Sequence, residues 1–362
     1  MNGKILGRKA FKGRGTLTNP PGRFERHDIE EVHDGWFEEE QPDTIATTVE
    51  PDRARAIITR NDSPDIPFEQ SINPYRGCEH GCTYCYARPS HAFMGLSSGI
   101  DFETKLFYKA DAGKVLEREL ARPGYVCKPI TIGANTDPYQ PVEREMKVTR
   151  QVLEVLARTR HPASVITKSA LILRDLDLLV DMARDNLMSV AISITSLSVE
   201  TKRVLEPRTA SPQARLRALR ELNAAGVPTG VMVAPIIPAI TDHEMEAILE
   251  AAAAAGARWA GYTMVRLPFE IKDLFREWLA EHFPDRAAHV MSLIREMRGG
   301  RDYDATFGER MRGTGPIAEL VRNRFKMACR RLGLNSGTRE RPDRTQLFRP
   351  PLIAGSQLSL GL

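Results

Sequence analysis

Three cysteines, Cys78, Cys82 and Cys85, stand at C-x3-C-x2-C spacing within Asn73-Pro-Tyr-Arg-Gly-Cys-Glu-His-Gly-Cys-Thr-Tyr-Cys-Tyr86. Two such short intervals let the thiolates converge on one metal centre. Soft sulfur ligands select iron–sulfur chemistry or zinc over magnesium and calcium. A structural zinc takes four protein ligands, whereas a cubane cluster held by three leaves one iron open to an outside ligand. His80, inside the loop, and His91, just beyond it, have the spacing to complete a zinc site with the three thiols. A non-catalytic zinc adaptor therefore stays open beside a catalytic iron–sulfur centre.

Composition bounds the setting. With 362 residues, 42% of them hydrophobic, the chain can bury a core without disulfide staples. The two cysteines outside the loop, Cys127 and Cys329, are far apart, which is no secreted disulfide framework. The segment from Met1 to Arg26 is polar and basic rather than a signal peptide, and no run reaches transmembrane length. The expectation is a cytoplasmic protein with no membrane partner. The net charge of +4 does not announce a nucleic-acid binder. Its distribution is more informative: seven basic residues and one acid lie between Lys4 and Arg26, then eight acids and no Lys or Arg from Asp28 to Asp43. Such blocks read as a flexible charged arm over 1–62. Either the arm neutralises itself in solvent, or its basic part follows a phosphate backbone once the acidic part is displaced.

The elements that must position the loop follow from periodicity. Short β-branched runs at Phe68–Ile72, Ile130–Ala134, Ser164–Thr167, Ser189–Ile194, Gly230–Ala234 and Ala260–Val265 read as buried strands. Helical patterns lie between them at Lys114–Ala121, Glu145–Arg160, Leu171–Asp185, Pro212–Ala225 and Asp242–Ala255. The fourth is punctuated by Ser211 as N-cap, Pro212 at the first helical position and Gly226 past the end. Alternating strands and helices imply a parallel sheet, with six units rather than the eight of a closed barrel. The cysteine loop then falls after the first strand, at the C-terminal mouth. Beyond 268 the pattern is helical, at Ile271–His282, Arg286–Arg298 and Pro316–Leu332. The last carries a stripe of Ile317, Leu320, Val321, Ala328 and Leu332, with Cys329 as a packed thiol beside it. The division is an arm (1–62), an α/β core (63–268), a helical extension (269–334) and a loosely ordered Arg/Pro/Gly/Ser-rich tail (335–362).

With an aromatic, Tyr84, directly before its last cysteine, the loop resembles the signature of the radical S-adenosylmethionine (SAM) superfamily, whose cores are open (β/α)6 partial TIM barrels. Residues 72–265 look most like the spore photoproduct lyase group. The stretches that carry this are Gly77 to Tyr86, Ala134-Asn-Thr-Asp137, Val165-Ile-Thr-Lys168, Ile192-Ser-Ile-Thr-Ser196, Leu205-Glu-Pro-Arg-Thr209 and Val233-Ala-Pro-Ile236. The resemblance implies that Cys78, Cys82 and Cys85 bind a 4Fe–4S cluster whose open iron takes SAM. It implies an electron donor such as flavodoxin or ferredoxin, and reductive cleavage of SAM to a 5′-deoxyadenosyl radical. It further implies SAM contacts from Lys168 to the methionine carboxylate, Ser193 to the ribose, Val233 and Ala234 to the adenine edge, and Tyr86 along the cofactor. Thr136 would face the cluster from the second strand.

One position departs from that group. Photoproduct lyases carry a cysteine before the threonine of the second-strand motif, to return a hydrogen atom to the product; here it is Asn135. Cys127 lies about 26 Å away along an extended strand, at the opposite end of the barrel. The expected activity is therefore SAM-dependent radical chemistry on nucleic acid, in DNA repair, with RNA or protein modification as the alternative substrates. The terminal Gln357-Leu-Ser-Leu-Gly-Leu362 resembles peptides that bind bacterial sliding clamps, which would tie the protein to DNA.

Overall fold

The computed structural model describes residues 11–24, 43–337 and 344–352. Its strands are β1 (Thr48–Pro51), β2 (Ile58–Arg60), β3 (Gln70–Ile72), β4 (Tyr75–Arg76), β5 (Lys105–Tyr108), β6 (Ile130–Ile132), β7 (Ala163–Thr167), β8 (Met188–Ser193), β9 (Thr229–Ile236) and β10 (Trp259–Met264). The main sheet runs β10-β9-β8-β7-β6-β3-β2, and all its pairings are parallel except β2 against β3. Parallel neighbours require crossovers, and these carry helices at Val148–Arg158, Leu176–Arg184, Pro212–Ala224 and Met245–Ala254. The six parallel strands form the open (β/α)6 architecture; β10 and β2 are its unjoined edges. Burial on both faces explains why these strands read as continuous apolar runs: every residue of β8 is buried.

The C-terminal extension bridges the open side. The N–H of Met264 donates to Met311 O at 3.0 Å, while Gly308 N–H and Arg310 both reach the Asp65 carboxylate ahead of β3. Helices Ile271–His282, Pro284–Glu296 and Gly315–Arg331 make up this extension. On the last, Ala318, Val321, Phe325, Ala328 and Cys329 face the core, whereas Leu320 is 59% exposed. The expected stripe was therefore rotated: Phe325 takes the place given to Leu320.

Two of the expected boundaries shift. Residues 43–62 are not an arm, because β1 pairs with β5 and β2 with β3. The β1-β5-β4 sheet escaped the sequence, its strands being short and lacking a buried apolar run. Nor is the tail loose throughout. Phe348 packs edge-on to His161 at 5.2 Å and against Tyr125 at 5.5 Å, and Arg349 N–H donates to Thr159 O. The acidic run from Asp28 and the terminal Gln357–Leu362 peptide lie outside the described residues. The helix expected over Glu145–Arg160 is broken at Lys147, whose φ of 51° separates Glu143–Met146 from Val148–Arg158. Among the described residues no helix is long and apolar enough to cross a membrane.

Candidate metal and cofactor centre

The cysteine loop leaves the C-terminal end of β3 and is wrapped by four other segments. Gln140 holds its start, accepting from Glu79 N–H at 2.7 Å and donating to Gly77 O. Cys78 N–H donates to Phe102 O, and Thr83 N–H to Leu205 O. Arg88, fully buried, donates to Cys82 O at 2.9 Å and pairs with the fully buried Glu103 at 2.6 Å. That carboxylate also accepts from Gly15 N–H, Thr16 N–H and Thr16 Oγ1, so residues 11–24 form a strap against the outer wall of the loop. Gly81, at φ +67°, sits where a Cβ would lie 2.6 Å from Glu103 Oε2. Only glycine combines that backbone angle with that approach.

Cys78 and Cys82 are buried and Cys85 is half-buried. Burial pushes the Cys78 thiol well up, and the Asp137 carboxylate, Cys82 and Cys85 add to it. Burial likewise raises Cys82 to about 12, with Glu206 adding and Lys168 opposing. Such thiols give up protons only to a cationic centre that offsets their lost solvation.

Neither histidine completes a zinc site. His80 Nδ1 faces Asp137 Oδ2 at 3.4 Å, and His91 Nε2 pairs with Lys105 O while its ring packs against Phe102. Among the described residues no three His, Cys, Asp or Glu side chains, the three cysteines included, close on a single ion. Cys82 and Cys85 are nonetheless near enough to act on the Cys78 thiol. With both histidines engaged elsewhere, three sulfurs fit a cluster with an open iron better than a tetrahedral zinc, which lacks a fourth ligand here.

Of the other expected residues, Lys168, Thr136 and Tyr86 contact the loop or the segments beside it, whereas Val233 packs in the main core. Lys168 Nζ lies 5.8 Å from the Tyr84 ring centroid, and its N–H donates to Asp137 Oδ2 at 2.7 Å. Thr136 Oγ1 donates to Tyr75 O at 3.0 Å, so it braces the loop's entry rather than standing free. Tyr86 donates to Ala134 O, and Arg266 covers its ring at 5.4 Å. Ser193 is buried at the end of β8, Val233 stands opposite Tyr262 in the β9–β10 register, and Ala234 O accepts from Thr195 Oγ1. Asn135 N–H is held by Asn73 Oδ1 at 2.8 Å. Cys127 precedes β6, at the far end of the strands, as its sequence position implied.

Sequence reasoning missed the buried acids behind the loop. Glu206 accepts from Tyr84, from Thr195 at 2.7 Å and from Arg215 at 2.5 Å. Burial works against its charge, yet Arg215, Lys168 and the Tyr84 hydrogen bond outweigh burial and hold it near 2. Asp137 is likewise held near 2 against burial, by His80 and by hydrogen bonds from Thr167 and Lys168. Both acids lie in stretches quoted above, but the partner of Glu206 is Arg215 on the next helix, while the adjacent Arg208 pairs with Glu79, so local spacing carried no signal.

Residues 72–252, half of the chain, match the radical SAM superfamily. An uncharacterised protein of Mycobacterium tuberculosis is 36% identical over 232 residues, covering 64% of this chain and 68% of that protein. A radical SAM Nα-GlyT isomerase of a Pseudomonas phage is 23% identical over 271 residues, 74% of this chain and 51% of that protein. A spore photoproduct lyase solved with AdoMet and dinucleoside spore photoproduct shares the fold, with TM-score 0.56 and 15% identity over 79% of this chain and 80% of that one. The chain belongs to the radical SAM superfamily, whose enzymes use a 4Fe–4S cluster and S-adenosylmethionine.

Proposed function

We propose that this is a radical SAM enzyme acting on nucleic acid, with a role in DNA repair. Cys78, Cys82 and Cys85 ligate the cluster in this reading. When bound, the cluster and SAM supply a 5′-deoxyadenosyl radical that abstracts hydrogen from the substrate. The chain's own residues orient and exclude water. Lys168 offers its ammonium to the methionine carboxylate, and Tyr86 and the ends of β8 and β9 line the rest of the cofactor. The observation that carries this is the set of three thiols at the barrel mouth beside Lys168, with both nearby histidines engaged elsewhere.

Nucleic acid is favoured by the shared architecture with spore photoproduct lyase over most of both chains. Photoproduct reversal itself is disfavoured. At Asn135 there is an amide, which cannot return a hydrogen atom as a weak S–H bond does. A reductant of the flavodoxin or ferredoxin kind delivers the electron. Clamp binding through Gln357–Leu362 belongs to the same reading.

The test is anaerobic incubation of reconstituted protein with dithionite, SAM and oligonucleotides, followed by mass spectrometry. Formation of 5′-deoxyadenosine with a changed oligonucleotide mass is expected, and Cys82→Ala should lose both the visible absorbance and the cleavage. Full iron and cleavage in Cys82→Ala would overturn the ligand assignment. A changed mass confined to protein would overturn the substrate.

A further inference from the structure

Among the described residues five aromatic side chains are largely exposed: Phe24 (60%), Tyr86 (48%), Phe93 (74%), Phe269 (58%) and Phe307 (57%). Bare rings are costly in water and are ordinarily buried. Here each is paired with an arginine. Arg23 lies 4.0 Å from the Phe269 ring centroid, 5.5 Å from Phe24 and 6.0 Å from Phe93. Arg266 covers Tyr86 at 5.4 Å, and Arg310 covers Phe307 at 4.4 Å.

Three of the rings meet on Arg23, whereas Tyr86 stands under Arg266. Phe24 ends the strap, Tyr86 follows the last motif cysteine, Phe93 lies in the turn Arg88–Met94 just beyond, and Phe269 follows the C-terminal end of β10. Phe307 sits instead on the segment that bridges the open side. The central group is fixed rather than loosely placed. Arg23 is pinned by Glu270 at 2.8 Å and by Pro89 O at 2.8 Å, and Phe24 packs on Phe93 with centroids 5.4 Å apart. Phe269 has a φ of +54°, a left-handed backbone that a bulky residue rarely adopts. Its neighbours Leu267 and Ile271 are fully buried, so the strained residue is the one turned outward. Strain held in place beside a functional mouth points to use.

We propose that Phe24, Phe93 and Phe269, gathered on Arg23, form a stacking platform for unpaired nucleotides flanking the target. This deepens the nucleic-acid reading above and rests on it. Flat rings accept the face of any base, and Arg23, held by Glu270 and Pro89 O, fixes them in place. Paired duplex covers its base faces, so the platform suits single-stranded or extruded nucleotides. Extrusion is what chemistry on a base demands. Charge adds little, because Arg14 is buried against Glu103 O and Ile45 O and Arg23 is paired with Glu270.

The experiment is fluorescence anisotropy of a labelled single-stranded oligonucleotide, and of a hairpin duplex, against cluster-loaded protein. Single strand should bind more tightly than duplex. Phe93→Ala and Phe269→Ala should each weaken single-strand binding roughly fivefold to a hundredfold. Phe93→Tyr should keep the affinity and Phe93→Leu should not, because a leucine retains apolar area without a π face. Visible absorbance and melting midpoint check that each variant is folded and loaded. Unchanged affinity in both alanine variants would remove the platform while leaving the nucleic-acid reading intact. Leucine serving as well as tyrosine would mark a docking face for an apolar protein segment and overturn the platform. No oligonucleotide binding by the wild-type protein would remove the substrate reading itself, and the platform with it.

Discussion

The Tyr84 hydroxyl donates to the carboxylate of Glu206, 122 residues further along the chain. One end of the cysteine loop is thereby tied to the segment after β8. Glu206 is in turn paired with Arg215, both groups being almost fully buried. Breaking a buried pair from one side leaves an uncompensated charge, at a cost of about 3–5 kcal/mol. Glu206→Ala should lower the denaturation midpoint accordingly and loosen cluster retention. An unchanged midpoint in urea would show that Arg215 finds another acceptor.

The strap presses on the loop at one point without slack. A Cβ on Gly15 would fall 1.7 Å from Gly81 O, against backbone that cannot yield. Gly15→Ala should therefore lift residues 11–24 from Glu103, with an overpacking cost of about 1–3 kcal/mol. Faster bleaching of the cluster absorbance in air is the expected sign; bleaching at the wild-type rate would mean the strap does not shield the centre.

Lys168 has its backbone fixed by Asp137, while its ammonium stands over Tyr84 near the loop. Lys168→Ala should leave iron content intact and weaken SAM binding by about ten- to a hundredfold, the worth of one charge-assisted contact. Equilibrium dialysis of SAM checks it, and an unchanged dissociation constant would place the ammonium outside the site.

Two buried imidazoles should weaken the fold between pH 7 and pH 5, above the range in which Asp137 and Glu206 take up protons. Burial lowers His91 and His161 to about 4 each, against hydrogen bonds to Lys105 O and Pro162 O that favour the charged ring. Between that value and the unfolded one near 6.5, the unfolded chain binds more protons, so stability is full above about pH 6.5 and falls as pH drops towards 4. Each ring should cost on the order of 2 kcal/mol between pH 7 and pH 5. Urea midpoints at the two values measure the loss, and His161→Gln should show a smaller one. The same loss in that variant would assign the sensitivity elsewhere.

The local code of this protein was strong wherever a single segment decides its own state. Ser211 does cap its helix by accepting from Ala214 N–H, and Pro212 and Gly226 bound it as their backbone angles require. The six parallel strands were legible because burial on both faces demands unbroken β-branched runs, and the expected strands overlap the observed ones. The cysteine spacing named its chemistry because thiolate geometry is local. What the sequence could not disclose were pairings whose energy comes from distant partners. Strands as short as β1 and β5 owe their state to each other, and Glu103 is buried only because Arg88, Gly15 and Thr16 converge on it. The stripe of the last helix followed its neighbours, which selected Phe325 over Leu320. Chain-remote contacts also gathered Phe24, Phe93 and Phe269 around Arg23. Spacing on one element cannot express that arrangement, since it exists only once the strap has closed on the barrel.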